Sequence, residues 1–395
     1  ECPEGYERRD EVMKLLKALY GLKSSPRAWF QHLKAFLLSI GLQQSEVDPC
    51  AFVLMQDGKI VMMVGVYVDD LLIVGVTDCV TWFVQEIKQE LLMEDLGEPK
   101  RIVGIDVVFT NSAIVLHQET FANKVLQRFN FDESTEKRTP METKLRLTID
   151  DGDDAEECAD FPYRSLVACL LYLAVCTRFD VCYAVKELSR FLNQPGTAMV
   201  KAAKRVLRYV KGTRRFGLVY SRVWRPERLA GVFTRWSLDS PIKAFVDADW
   251  AGQQDDRKST AGLLLLFNGT AILWWSRTLK VVALSTQDAE YMGLSDASRE
   301  VIFIRQLIES LGFRIDRASE IYTDNNGALT LANNTCSHQK SKHIQVRFHF
   351  VRQQVEGEVV IVNWIPTGQQ LADVMTKALP TDQHWLLVKG AAGEV

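Results

Sequence analysis

The sequence predicts a mixed α/β (α+β) chain with more than one domain, and three observations lead there. At 395 residues it is long enough for two or three separate cores. Short apolar runs bounded by turn residues are interleaved with helical segments along the whole length. From Pro241 the order becomes three strands, a helix, a strand, helices, a strand and a helix. Crossovers of that kind imply a mixed five-stranded sheet with helices on its faces.

The elements read as follows. Residues 12–42 read as two helices, with Ser25 as an N-cap before Pro26 and Gly41 as a stop. Residues 59–76 read as a hairpin turning at Asp69-Asp70. A helix over 79–93, two strands over 100–118 around Asn111-Ser112 and a short helix over 119–130 follow. The acidic, Gly-containing run 150–157 reads as a solvated linker. Helices over 165–176, 181–192 and 197–210 come next, the last two parted by Gln194-Pro-Gly. Strands are expected at 242–248, 262–267 and 271–276. A long helix then starts at the capping box Ser285-Thr-Gln-Asp288 and stops at Gly312. A strand over 319–323 ends at Asp324, helices near 325–333 and 344–355 precede a strand at 358–364, and a last helix starts near Gln369.

Composition narrows the class. Hydrophobic content of 47% and charged content of 25% are ordinary for a globular protein. Glu1-Cys-Pro-Glu-Gly is not a secretory start, so the protein reads as not secreted, and no apolar run is long enough for a membrane helix. The opening on Glu1 rather than Met reads as a fragment or processed piece. Eight Cys without a CxxC pair, among them Cys169, Cys176 and Cys182, read as small buried residues in a reducing compartment. A net charge of −3 does not advertise nucleic-acid binding, but Lys201 to Arg215 holds seven basic residues and no acid. Lys201, Lys204, Arg205, Arg208 and Lys211 recur at helical spacing opposite Val206, Leu207 and Val210. That stripe is either a solvated face or a surface that tracks phosphates.

Two acidic centres point to metal-assisted phosphoryl chemistry, which needs carboxylates converging on two cations ~4 Å apart. Asp247 closes the apolar Ala244-Phe245-Val246, and Asp324 closes Ile321-Tyr322-Thr323. An acid ending an apolar strand needs a cation or a hydrogen-bond reason. Glu290 falls early on the long helix and Asp373 early on the last one. Upstream, Tyr67-Val-Asp69-Asp70 sits between two apolar runs. Trp274, Trp275 and Trp364 are expected to pack the core rather than stack on bases.

Residues 244–380 resemble the ribonuclease H domain of copia-type LTR retrotransposon polyproteins. The residues that carry this are Asp247-Ala-Asp-Trp-Ala-Gly, Asp256-Arg-Lys-Ser-Thr260 with Gly262, Trp275-Ser, and Val282-Ala-Leu-Ser-Thr-Gln-Asp-Ala-Glu-Tyr291. Asp324-Asn325, Lys342-His-Ile, His349-Phe, Pro366-Thr and Ala372-Asp373-Val-Met-Thr-Lys377 complete them. The resemblance implies that Asp247, Glu290, Asp324 and Asp373 hold two Mg²⁺ ions, with Mn²⁺ able to substitute. It implies in-line attack of water on the RNA strand of an RNA–DNA hybrid, leaving a 3′-OH and a 5′-phosphate. Asp249 also matches, in a structural or supporting role. Many cellular ribonucleases H carry a His just before the last Asp, whereas Pro366-Thr-Gly-Gln-Gln370 has none, a lack the copia family shares. His343 and His349 are assigned a structural role or contact with the nucleic-acid backbone.

Residues 1–141 resemble the reverse transcriptase of the same family through Lys17-Ala-Leu-Tyr-Gly-Leu-Lys23, Ser25-Pro-Arg-Ala-Trp29, Asp48-Pro-Cys50, Tyr67-Val-Asp-Asp70, Leu96-Gly97, Gly104-Ile-Asp106 and Thr139-Pro-Met141. Tyr163-Arg-Ser165, Cys176-Thr-Arg178 and Leu207-Arg-Tyr-Val-Lys-Gly-Thr213 extend the match through the connecting region. In that family a third metal-binding Asp lies upstream of the Pro-x-Gly segment seen here as Pro3-Glu-Gly5. Asp69 and Asp70 are therefore expected to be metal ligands only in a longer parent, and the chain alone is expected not to polymerise DNA. The expected organisation is a partial polymerase palm over 1–141, a linker and helical connection over 142–240, a ribonuclease H-like domain over 241–383 and a tail over 384–395. Expected partners are an RNA–DNA hybrid and the rest of the polyprotein, in cytoplasmic virus-like particles or the nucleus. Two other readings stay open: a non-catalytic nucleic-acid binder, and an inert relic of a decayed element.

Overall fold

Pro26 opens and Gly41 closes the first helix, α1 (Ser25–Ser39); its Leu33 and Leu37, one turn apart, are buried. The structure is a computed structural model, which describes residues 15–19, 21–148, 160–221, 241–250, 252, 255, 257–333 and 342–393, without the side chains of 342–345. It divides into two compact units, Glu1–Leu96 with Gln306–Arg314, and Gly97–Arg305 with Ile315–Val395.

In the first unit, β1 (Gln43–Gln44), β2 (Ala51–Gln56), β3 (Lys59–Tyr67) and β4 (Asp70–Gly75) form an antiparallel sheet in that order. α2 (Thr77–Glu90) joins α1 over its apolar face, and Leu33, Leu37, Phe52, Met62, Val64, Phe83 and Ile87 form the core. Two expectations shift here. Residues 15–19 are not helical, so α1 is the one helix in the 12–42 stretch among the described residues. The hairpin turns at Val68-Asp69, one residue early, because Asp70 already pairs with Tyr67.

The second unit opens with an antiparallel sheet of β5 (Arg101–Ile102), β6 (Ile105–Phe109), β7 (Ala113–His117) and β8 (Gly217–Ser221). α3 (Glu119–Arg128), α4 (Tyr163–Cys176), α5 (Cys182–Ser189) and α6 (Thr197–Gly212) close around Val125, Leu166, Leu170, Leu188, Val206 and Leu207. β9 (Ile242–Asp249), β10 (Thr260–Phe267) and β11 (Thr270–Thr278) then form an antiparallel meander. α7 (Thr286–Ser310), β12 (Ser319–Thr323), α8 (Asn326–Asn333), α9 (Lys342–Glu356), β13 (Val360–Trp364), α10 (Asp373–Thr376) and α11 (Thr381–Ala392) follow. The sheet order is β11-β10-β9-β12-β13, with β12 parallel to both β9 and β13. This is the mixed five-stranded sheet expected from the sequence. β9 is buried on both faces from Ile242 to Ala248, which is why it reads as a continuous apolar run.

The segment expected as a tail holds most of α11, whose His384, Leu387, Val388, Ala391 and Ala392 are buried. Its anchor is polar. Arg178, 1% exposed, donates twice to Asp180, Tyr209 donates its hydroxyl to Asp180, and Tyr209 Oη lies 3.0 Å from His384 Nε2. Burial alone would raise the Asp180 carboxyl, but Arg178 overrides it and holds the group below its ordinary value. Burial pushes His384 down from 6.5 to about 4.

Removing one partner of a buried ion pair strands the other. Asp180→Ala is expected to destabilise the chain by about 3–5 kcal/mol in urea unfolding. For His384, the unfolded chain binds the proton below 6.5 and the folded chain only near 4. The neutral imidazole therefore adds stability above pH 6.5 that is lost as pH falls toward 4. Replacing His384 by Gln should flatten that part of the stability–pH curve, read from melting temperatures across this range.

Candidate metal centre and active site

Parallel strands β9 and β12 send their C-terminal ends to one edge of the sheet, and the acids sit there. Asp247 lies on β9 opposite Gly262 of β10 and is 2% exposed. Asp324 stands just past β12, where the Asn325 side chain caps α8 by accepting the Ala328 N–H at 2.9 Å. Glu290 comes from the first turns of α7, whose start is fixed by the Ser285 hydroxyl accepting the Asp288 N–H. Asp373 opens α10.

Two glycines allow these elements to close. A Cβ at Gly262 would lie 2.4 Å from Met375 Cβ, so only glycine lets α10 rest on β10. A Cβ at Gly293 would meet Val246 Cγ2 at 3.0 Å, which holds α7 close to β9 next to Glu290.

Oxygens of Asp247, Glu290 and Asp324 lie within 4.8 Å of one another. Each carboxylate is oriented by a donor. Thr376 Oγ1 donates to Asp247 Oδ2, Thr367 Oγ1 to Asp324 Oδ2 at 2.8 Å, and the Ala248 N–H to Glu290. Glu290 Oε2 is buried yet finds no partner among the described residues. Asp373 stands outside this trio: its Oδ1 accepts from Lys377 Nζ at 2.9 Å, and the same ammonium lies 3.3 Å from Asp247 Oδ2. Asp247, Glu290 and Asp324 line an open crevice of about 370 Å³ with Ala248, Asp249, Trp250, Thr286, Asn325 and Lys377.

The electrostatics match the crowding. Burial, then the charges of Asp247 and Asp324, push Glu290 well above the usual carboxylate range. Burial and Asp247 push Asp373 up to about 7, against the pull of Lys377. Crowded carboxyls can relieve their repulsion by holding protons or a cation, and an all-oxygen donor set is consistent with a hard divalent ion such as Mg²⁺.

Other expected positions fall as follows. Asp249 pairs with Arg146 at 3.6 Å and lines the crevice. His349 is exposed, and His343 lies in α9 with its side chain outside the described ones, as are Asp256, Pro3 and Gly5. Trp275 is buried and Trp274 donates to the Ala174 carbonyl, but Trp364 is 45% exposed on the edge strand β13, not in the core. Asp69 and Asp70 are exposed and join no third ligand among the described residues. Their turn is strained: Val68, β-branched, has φ of 54°, and its carbonyl accepts the Trp29 indole N–H at 2.8 Å. On α6, Lys201 is exposed. Lys204 lies over the Phe161 ring, Arg205 pairs with Glu142, Arg208 lies over Phe131 and Lys211 donates to the Ser134 carbonyl. Sequence reasoning gave Thr367, Thr376 and Lys377 no role. The spacing of four between Asp373 and Lys377 was the available signal.

Residues 2–143 match the family model described as reverse transcriptase (RNA-dependent DNA polymerase). A Pol polyprotein from transposon TNT 1-94 of Nicotiana tabacum is 34% identical over 98% of this chain, and that from transposon RE1 of Arabidopsis thaliana is 36% identical over 95%. The chain belongs to the Pol polyproteins of copia-type retrotransposons. It spans 29% and 25% of the lengths of these two relatives. Among solved structures, a foamy viral protease-reverse transcriptase with double-stranded DNA is 12% identical, covering 87% of this chain and 49% of its own, with a TM-score of 0.44. LC11-RNase H1 with an RNA/DNA hybrid is 14% identical, covering 33% and 88%, with a TM-score of 0.26. No helix among the described residues is long and apolar enough to cross a membrane.

The crowding has a measurable sign. Unfolded, Asp373 releases its proton near 3.8; folded, near 7. Between those values the folded chain holds the extra proton, so without divalent cations stability should fall as pH rises from about 4 to about 7. Melting temperatures in EDTA should show this slope. Asp373→Asn should reduce it, and saturating Mg²⁺ should raise the wild-type melting temperature at neutral pH.

Proposed function

We propose that the second unit of this copia-type Pol chain is a Mg²⁺-dependent ribonuclease H that cuts the RNA strand of RNA–DNA hybrids. The observation that carries the reading is the convergence of Asp247, Glu290 and Asp324 within 4.8 Å, with Glu290 Oε2 left unpartnered beside an open crevice. A fold using these acids only for structure would have paired that oxygen.

Asp247, Glu290 and Asp324 would hold the divalent ions, with Asp373 joining through Asp247. When bound, such ions supply charge stabilisation at the scissile phosphate and a more acidic water. The chain's own residues do the positioning. Thr376, Thr367 and the Ala248 N–H fix the rotamers of Asp247, Asp324 and Glu290, so the oxygens need not reorganise. The crevice is open on one side, as a bound polynucleotide requires, and an A-form hybrid would be read through its shape and 2′-hydroxyls. Lys201, with Lys204, Arg205, Arg208, Lys211 and His343, is the proposed contact set for the nucleic-acid backbone. In the first unit, the strained turn of Asp69 and Asp70 is the proposed polymerase metal site of the Pol polyprotein. The setting is the rest of that polyprotein, in cytoplasmic virus-like particles or the nucleus.

The test is cleavage of an RNA-labelled hybrid by the purified chain. Mg²⁺-dependent cutting of the RNA strand is expected, abolished by EDTA. Asp324→Asn should lower kcat/KM by on the order of 10³-fold, about 4 kcal/mol of transition-state stabilisation. A folded chain that binds the hybrid but leaves it uncut at all Mg²⁺ and Mn²⁺ concentrations would overturn the proposal in favour of a non-catalytic binder.

A further inference from the structure

Lys377 follows Asp373 by four residues, so both side chains leave the same face of α10 and its C-cap. Its Nζ is 2.9 Å from Asp373 Oδ1, 3.3 Å from Asp247 Oδ2 and 3.4 Å from Asp247 Oδ1. The ammonium therefore sits between two carboxylates that are 2% and 5% exposed and would otherwise repel. Asp247 also belongs to a second group. There Glu290 and Asp324 complete the trio, and Glu290 Oε2 has no partner among the described residues. Asp247 is thus shared between the Lys377 ammonium and the trio with Glu290 and Asp324. Lys377 lines the crevice and is 36% exposed in its side chain, so its flexible stem can carry the charge outward without unfolding α10.

Resting on the ribonuclease reading above, we propose that Lys377 is a displaceable internal counter-ion. Its ammonium holds Asp247 and Asp373 together when divalent ions are scarce, and it competes with the second divalent ion for those two carboxylates. The first ion then goes to Asp247, Glu290 and Asp324, the last two of which hold no ion pair among the described residues. The second must displace Lys377. Lys377 is a positioning residue in this scheme: it sets the order and affinity of ion loading. Competition for shared ligands is a negative coupling between two bound cations, for which factors of about 5–150 are usual.

Mn²⁺ binding to the full chain, followed by electron paramagnetic resonance and calorimetry, tests this directly. The wild type should bind one ion at least about tenfold more tightly than the second. Lys377→Met, which keeps the stem and removes the charge, should tighten the second ion about tenfold and leave the first within about threefold. Lys377→Arg, which keeps a cation there, should leave the second affinity near wild type. Thermal unfolding gives an independent readout. In EDTA, Lys377→Met should melt below wild type because two buried carboxylates lose their cation, and saturating Mn²⁺ should erase the difference. Should Lys377→Met fail to fold in EDTA but fold with Mn²⁺, that also supports the proposal. A bound first ion with an unchanged second affinity in Lys377→Met sinks this inference alone. A folded wild type that binds no divalent ion sinks both it and the ribonuclease reading.

Discussion

Like charges forced together set the terms for the second unit. Three carboxylate oxygens within 4.8 Å of one another repel by roughly 3–4 kcal/mol per ionised pair at an effective dielectric of ~20. The donors Thr376, Thr367 and the Ala248 N–H, with the Lys377 ammonium beside Asp247, offset only part of that. The rest comes from β9, buried on both faces at the centre of a five-stranded sheet, and from the strand ends that β9 and β12 share. Gly262 adds to it by letting α10 approach more closely than any side chain would allow, and Gly293 by letting α7 pack tightly against Val246 of β9. The apolar packing around Phe245, Leu264, Tyr322, Leu371 and Met375 is thus stored partly as electrostatic strain in the crevice. A divalent ion can release that strain, which makes ion affinity and fold stability two readings of one free energy.

The same unit contains a second buried polar centre, and the contrast separates a structural device from a site. Around Asp180 the buried charges are paired: Arg178 forks onto the carboxylate, Tyr209 donates to it, and the Thr213 carbonyl and hydroxyl take two more guanidinium hydrogens. That network ties α6 and the turn Phe179–Val181 to His384 of α11, joining the helical region and the last helix across a closed interior. Around Asp247 the answer is incomplete, with one lysine among the described residues for four carboxylates, and an open side. Complete compensation gives rigidity and no chemistry. Incomplete compensation next to solvent gives a place where a ligand can bind.

Much of this was legible in the sequence because its signals were local. The capping box at Ser285, the apolar run of β9 and the periodicity of α6 each act over a few residues, and each element formed where its pattern lay. The acids were legible for a related reason, since a carboxylate ending an apolar strand has few structural excuses. What was not legible depends on distant partners. β8 is a short strand whose pairing with β7 joins residues about 100 apart, and no feature of Gly217–Ser221 announces it. α11 looked like a tail because its anchor, the Arg178–Asp180–Tyr209 network, is supplied from far upstream. Trp364 reads as core by composition, yet β13 is an edge strand, and its indole is held at the surface by the Asp324 carbonyl. The hairpin slipped by one residue because Val68 takes a left-handed conformation that β-branched residues avoid, so the turn is set by its surroundings rather than by its own preference.

The basic stripe on α6 shows the same limit from the other direction. Read along the chain, seven positive charges without an acid look like an exposed phosphate-tracking surface. In the fold, the neutralising groups arrive from other segments. Glu142 and the Thr139 hydroxyl take Arg205, the Ser134 carbonyl takes Lys211, and the rings of Phe161 and Phe131 lie under Lys204 and Arg208. These contacts fasten residues 131–142 to the helix, so a phosphate at that face competes with bonds the scaffold already uses. Lys201 and Arg214 are exposed and hold no such bond to those described segments, and Arg215 pairs with the partly exposed Glu119. A backbone passing this face would meet free charge at the two ends of α6, and would engage Lys204, Arg205, Arg208 and Lys211 only by displacing these bonds.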